Sequence, residues 1–195
     1  MNLAEDAIRW GALQKPLELD QLVTFIQRRP KAQVVLEIGT CHGGTLWLWC
    51  QIAAPDALIV SLDLPGGEFG GGYQMSDIAR ILGHGKKDQK LELIQGDSHA
   101  DTALKDVERA LDGRQVDLLF IDGDHTYEGV KQDWEMYSPL VSPGGIVVFH
   151  DIVKHPEATG CYVEQFWNEI KDDYRHQEFC SPPGDWAGLG VIHIA

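Results

Sequence analysis

The sequence predicts an α/β fold: a doubly wound, mostly parallel sheet with helices on both faces. Three observations carry this. Short apolar runs alternate with amphipathic, helix-length stretches along the chain. The runs are bounded by turn residues, as buried parallel strands are. The composition, 44% apolar and 24% charged over 195 residues, suits a chain that buries one sizeable core. The length implies a single domain over 1–195.

The elements follow in order. Residues 3–13 and 17–28 have helical spacing, with Leu19, Leu22, Val23 and Ile26 on one face and Pro30 as the stop. Together 1–30 form a helical cover. Residues 33–38 read as the first strand and 45–53 as an apolar helix in which Trp47 and Trp49 are expected to pack the core. The alternation continues with strands over 57–62, 91–94, 116–121 and 145–149. Helices over 76–82, 100–111, 127–137 and 161–172 separate and follow them, and one or two closing strands lie in 186–194. Strands joined through helices form right-handed crossovers and a sheet covered on both faces.

Four of these strands run into a carboxylate: Asp63, Asp97, Asp122 and Asp151. The first ends at Glu37 and a glycine turn. Ligands of doubly wound sheets bind beyond the carboxyl ends of the strands, so these groups should converge there. Aspartate is common in turns for local reasons, but that account weakens when it recurs at the same end of successive strands.

Charge narrows the functional classes. Net charge is −14, with 16 basic and 30 acidic side chains, and most of the excess lies after residue 96. A nucleic-acid binder needs a positive face for the phosphates, and the chain offers only the short basic pairs Arg28–Arg29 and Lys86–Lys87. No apolar run approaches the roughly 20 residues that span a bilayer. The four cysteines, Cys41, Cys50, Cys161 and Cys180, show neither CxxC nor a framework spacing. With no leader-like segment, these features set the expectation of a reduced, soluble, cytoplasmic protein.

The turn after the first strand, Glu37-Ile38-Gly39-Thr40-Cys41-His42-Gly43-Gly44, is neither GxGxxG nor a P-loop. Its Gly39 permits a tight turn, and Gly43 and Gly44 are expected to let a ligand approach the helix start. Asp63 can accept from both hydroxyls of a ribose, and Asp97-Ser98 offers an acceptor and a donor to a purine edge. Residues 64–75 include five glycines within 64–73 and read as a lid loop.

VVLEIGTCHGG, SLDL and IQGDS resemble the first three motifs of class I S-adenosylmethionine-dependent methyltransferases. LFIDGDHTYEGV and GGIVVFHDI resemble the small-molecule O-methyltransferase branch: the macrocin-type sugar enzymes, the cephalosporin-hydroxylase-like proteins and, more distantly, the catechol type. The resemblance covers about residues 14–195. It implies a Rossmann-like methyltransferase fold and S-adenosylmethionine as cofactor, bound by Glu37, Gly39, Thr40, Gly43, Gly44, Asp63, Asp97, Ser98 and Asp122.

It further implies a divalent cation, Mg²⁺ or Mn²⁺, on Asp122 and Asp151 with His150 beside them. His150 departs from the branch, which carries an acidic residue there in the sugar enzymes; it either ligates a transition metal or points into the core. His125, three residues after Asp122, matches the position of the base, so His125 and Asp122 form the catalytic pair. An imidazole with a pKa near 7 suits removal of a hydroxyl proton. The implied reaction is O-methylation of a small-molecule hydroxyl acceptor: a phenol, a sugar or a natural product. No membrane or nucleic-acid partner is implied, and the N-terminal helix is either a simple cover or a homodimer element. The alternatives are a non-catalytic cofactor-binding or scaffold protein of this fold, an enzyme using another nucleotide cofactor, and the hydroxylase chemistry named in the cephalosporin branch.

Overall fold

In the computed structural model the described residues are 2–67, 69, 71–182, 184 and 186–195. Two helices lead: α1 (Leu3–Arg9) and α2 (Pro16–Gln27). The side chain of Asn2 accepts from the amides of Ala4 and Glu5 and caps α1. Pro16 opens α2, where its fixed φ costs nothing. Then come β1 (Val34–Ile38), α3 (Gly44–Ile52), β2 (Leu58–Asp63), α4 (Ile78–Leu82), β3 (Lys90–Gln95) and α5 (Asp101–Leu111). The chain continues through β4 (Val116–Ile121), α6 (Tyr127–Tyr137), β5 (Val141–His150), α7 (Val163–Ile170), β6 (His176–Phe179) and β7 (Leu189–His193).

The seven strands form one sheet in the order β3-β2-β1-β4-β5-β7-β6. The first five pair in parallel, and β7 runs antiparallel to both β5 and β6. Order reverses between β1 and β4, which defines the switch point. Strand period two divides the core. Val35, Leu118 and Phe120 face α1, α2 and α3; Leu36, Leu119 and Ile121 face α5, α6 and α7. Trp49 packs the first layer and Trp167 the second, both fully buried.

This is the doubly wound, mostly parallel α/β fold that the alternation predicts, with some local differences. Strand β6 falls in a stretch with no strand signal. His176, Gln177, Glu178 and Phe179 are polar or half-exposed because β6 is a sheet edge. It is anchored instead by Glu178, which accepts from Trp167 Nε1 at 2.6 Å and Lys171 Nζ at 2.9 Å. Strand β5 begins four residues earlier than 145, because its register against β4 shifts between Val116 and Leu118. Helices α1, α4 and α7 are shorter than their periodic stretches, α1 ending at Arg9 rather than 13, and 171–173 tighten into a 3-10 turn.

Candidate active site

A cavity of about 610 Å³ opens beyond the carboxyl ends of the parallel strands, at the switch point. Its wall includes Gly39 and Thr40 after β1, Asp63 ending β2, Asp97 and Ser98 after β3, Asp122 and His125 after β4, and His150 ending β5. Residues 11–14, between α1 and α2, close one side.

The turn after β1 is built by close backbone approach. Gly39 has φ +84°, and a Cβ there would lie 2.0 Å from the Asp122 carbonyl oxygen. Only glycine lets the ends of β1 and β4 meet. The Asp122 amide then donates to the Ile38 carbonyl at 2.8 Å. Thr40 Oγ1 donates to Glu37 Oε2 at 2.7 Å and lies 2.6 Å from Ser61 Oγ; Trp49 Nε1 donates to Glu37 Oε1 at 2.8 Å.

Three of the expected cofactor positions do not reach the cavity wall. Glu37 is fully buried and does not line the cavity. Its carboxylate orders the turn from beneath. Burial raises its pKa to about 7, against the opposing hydrogen bonds of Thr45, Thr40 and Trp49. Gly43 and Gly44 do not line the cavity either. A Cβ on Gly44 would lie 1.9 Å from the Ala12 amide nitrogen, and one on Gly43 would lie 3.2 Å from Ile81 Cγ1. What approaches these glycines is the protein's own chain.

Asp63 Oδ2 accepts from the Cys41 amide at 2.8 Å and the Tyr73 amide at 3.3 Å, tying the glycine turn to the far end of the 64–73 loop. Burial raises its pKa, opposed by these amides. Asp97 Oδ1 accepts from the His99 amide, and the Ser98 carbonyl accepts from Tyr137 Oη at 2.7 Å. Of the loop after β2, Gly67 and Phe69 reach the cavity wall, and Phe69 stacks on His125 at 4.7 Å between centroids. Glu68 and Gly70, part of the expected lid, lie outside the described residues.

At the other end, acids and imidazoles interlock. Asp122 Oδ2 accepts from Gln14 Nε2 at 2.8 Å across 108 residues of sequence. His150 points into the site, not the core layers: its Nδ1 lies 3.0 Å from Asp122 Oδ1 and 3.3 Å from Asp151 Oδ1. His125 Nε2 lies 3.4 Å from Asp122 Oδ1, and its Nδ1 lies 3.4 Å from Asp151 Oδ2. Asp151 stands behind these rings, 3% exposed, with its backbone at φ +62°. His155 joins as a third imidazole: its Nε2 lies 3.1 Å from Asp151 Oδ1 and accepts from the Ala187 amide at 3.0 Å. The i,i+4 spacing from Asp151 was the signal for His155, but on an irregular loop that spacing predicts no contact.

Burial works against charge on His150, yet Asp122 and Asp151 hold its pKa well above the ordinary value. Burial also opposes charge on His125, and the two carboxylates again raise it. For Asp151 burial acts upward and is outweighed by His150, which holds the carboxyl far below its usual range.

These donors fit a divalent cation. Donor atoms of Asp122, His150 and Asp151 lie within 4.8 Å of one another. His150 Nε2 is buried without a hydrogen bond. Two carboxylates and one imidazole suit Mn²⁺ or Fe²⁺ as well as Mg²⁺. A second set, His125, Asp151 and Cys161, is also close together, and burial pushes the Cys161 thiol up to about 12. Asp124 has the turn role: its Oδ1 accepts from the Thr126 amide, and its side chain fills the space above Gly129.

Residues 36–152 match the model of a methyltransferase domain, and the chain belongs to that family. Among solved structures it is similar to the O-methyltransferase TomG of Streptomyces achromogenes, in complex with S-adenosylmethionine. That match has TM-score 0.68 and 17% identity, over 100% of this chain and 91% of that one. It is also similar to an O-methyltransferase of Bacillus cereus in complex with S-adenosylhomocysteine, with TM-score 0.63 and 18% identity over 99% and 91% of the two chains. The methyltransferase MycE of mycinamycin biosynthesis, in complex with Mg, S-adenosylhomocysteine and mycinamycin VI, gives TM-score 0.63 and 18% identity over 99% and 54%. By sequence, the uncharacterized protein y4gI of Sinorhizobium fredii (strain NBRC 101917 / NGR234) is 30% identical over 140 residues, 70% of this chain. The chain spans about 15% of the length of the curated relatives it matches.

Proposed function

We propose that the protein transfers a methyl group from S-adenosylmethionine to a hydroxyl of a small-molecule acceptor, with a divalent cation held by Asp122, His150 and Asp151. One observation carries the reading: Asp122 and His125 stand together on the wall of the switch-point cavity, with Asp63 and Asp97 on the same wall. The cofactor's nucleoside would lie toward Asp97 and Ser98, its ribose on Asp63, and its methionine end along Gly39 and Thr40 toward Asp122.

When bound, the cation lowers the pKa of the acceptor hydroxyl and S-adenosylmethionine supplies an electrophilic methyl. The chain's own groups do the rest. Asp122 and Asp151 hold His125 between them. The imidazole removes the hydroxyl proton, and proximity aligns oxygen and methyl. Gln14 fixes Asp122 from the opposite side. Phe69 stacks on the His125 ring and limits its orientation.

The position of His150 Nδ1, between Asp122 and Asp151, favours a second reading in which an imidazolium replaces the cation. Titration of S-adenosylhomocysteine by calorimetry, with and without Mg²⁺ or Mn²⁺, separates the two. Tighter binding with metal supports the first. Binding indifferent to metal supports the second. No binding refutes both.

A further inference from the structure

The base end of the cavity holds an ion pair that the proposed chemistry leaves unused. Asp133, on α6, is fully buried; burial raises its pKa, opposed by the side chains of His99 and Ser98 that face its carboxylate. An ionised carboxylate at such a depth is costly unless a cation pairs with it. The cation it meets is His99, whose Nε2 lies 3.4 Å from Asp133 Oδ1 and 3.1 Å from the Gly129 carbonyl. The Nε2 proton is therefore spent on α6. Nδ1, on the other side of the ring, lies 3.8 Å from Asp97 Oδ1, and both residues line the cavity. Next to Asp97, an acceptor, the imidazolium Nδ1–H is a donor. Such a neighbouring acceptor and donor match adenine, whose N6 amino group donates and whose N1 accepts. Hypoxanthine reverses both: O6 accepts and N1–H donates.

We propose that His99, held as an imidazolium by Asp133, is a specificity-determining residue that selects adenine over hypoxanthine in the bound nucleoside, with Asp133 as its positioning residue. The pairing rests on the reading that the cofactor's base lies against Asp97 and Ser98. Burial opposes the charge on His99, but the Asp133 hydrogen bond outweighs it and, with the charges of Asp133 and Asp97 and the Gly129 carbonyl, raises the His99 pKa to about 9. The imidazolium therefore persists at neutral pH.

The test is calorimetric titration of S-adenosylhomocysteine and S-inosylhomocysteine into the parent protein, His99→Ala and Asp133→Asn, with folding checked by thermal unfolding. The parent is expected to prefer the adenine ligand by about tenfold to a hundredfold, the scale of one charged hydrogen bond. His99→Ala, at a partly exposed site, should stay folded and bring that ratio near one. Asp133→Asn should lower it in the same direction, and His99→Ala carries the test if that variant unfolds. A parent that binds the adenine ligand but shows no preference, or a His99→Ala variant that retains it, overturns the proposal and leaves the methyltransferase reading intact. A parent that binds neither ligand overturns both.

Discussion

At the scale of residues, the titratable groups divide by what surrounds them. Glu37 is a carboxylate enclosed by Trp49, Thr40 and Ser61, and its folded-state pKa of about 7 exceeds the 4.5 of an ordinary glutamate. The folded state thus binds the proton more tightly than the unfolded one. The stabilisation is complete below pH 4.5 and is lost as pH rises through 7, an effect on the order of 3 kcal/mol. Glu37→Gln should flatten the fall in stability between pH 5 and 8; an unchanged slope in urea unfolding would show that Glu37 is not its source. In the acid–imidazole cluster, Asp122→Ala and Asp151→Ala should abolish Mn²⁺ binding by calorimetry without unfolding the protein. Retained affinity in both would remove the cation from that site. His125→Ala should cut turnover by about 10²–10⁴-fold, the scale of a general base. Full rate across the pH profile would exclude His125 as that base. The sequence placed Asp122 and His125 correctly at one strand end, because three residues of spacing are local. It could not show that His155 reaches Asp151, since that contact depends on how the loop after β5 folds back.

At the scale of elements, the N-terminal segment is a built part of the site. Glu18, on α2, is fully buried and accepts from the Ser181 amide, Ser181 Oγ and the Gly188 amide, at 2.7, 2.8 and 2.9 Å. It pins the segment between β6 and β7 across more than 160 residues of sequence. Glu18→Ala would leave those buried donors unpaired and should cost about 2–4 kcal/mol, seen as a lower thermal midpoint. Unchanged stability would mean that the segment has another anchor. Helical spacing showed that α2 exists and which face is apolar, with Leu19, Leu22 and Ile26 inward. It also placed Glu18 next to that face, but a lone acid beside an apolar stripe gives no sign of its partners. The same limit holds at Gly43 and Gly44: spacing gives no sign that Ile81 packs against the first and the Ala12 backbone against the second.

At the scale of the whole molecule, the acidic excess and the architecture work together. A net charge of −14 repels itself in the compact state. Raising ionic strength from 10 to 150 mM shortens the Debye length from about 30 to about 8 Å and should raise the thermal midpoint. A midpoint that falls instead would mean that attractive pairs outweigh the general repulsion. Among the described residues no helix is long and apolar enough to cross a membrane. The alternation of strand and helix, the carboxylates at the strand ends and the motif spacing were all written in the chain, because each depends on neighbours a few residues apart. The direction of β7, the edge strand β6, the burial of Glu37 beneath its turn and the pairing of His99 with Asp133 were decided only by tertiary structure. These are contacts between segments far apart in sequence, and their energies come from burial and charge that exist only once the layers have closed.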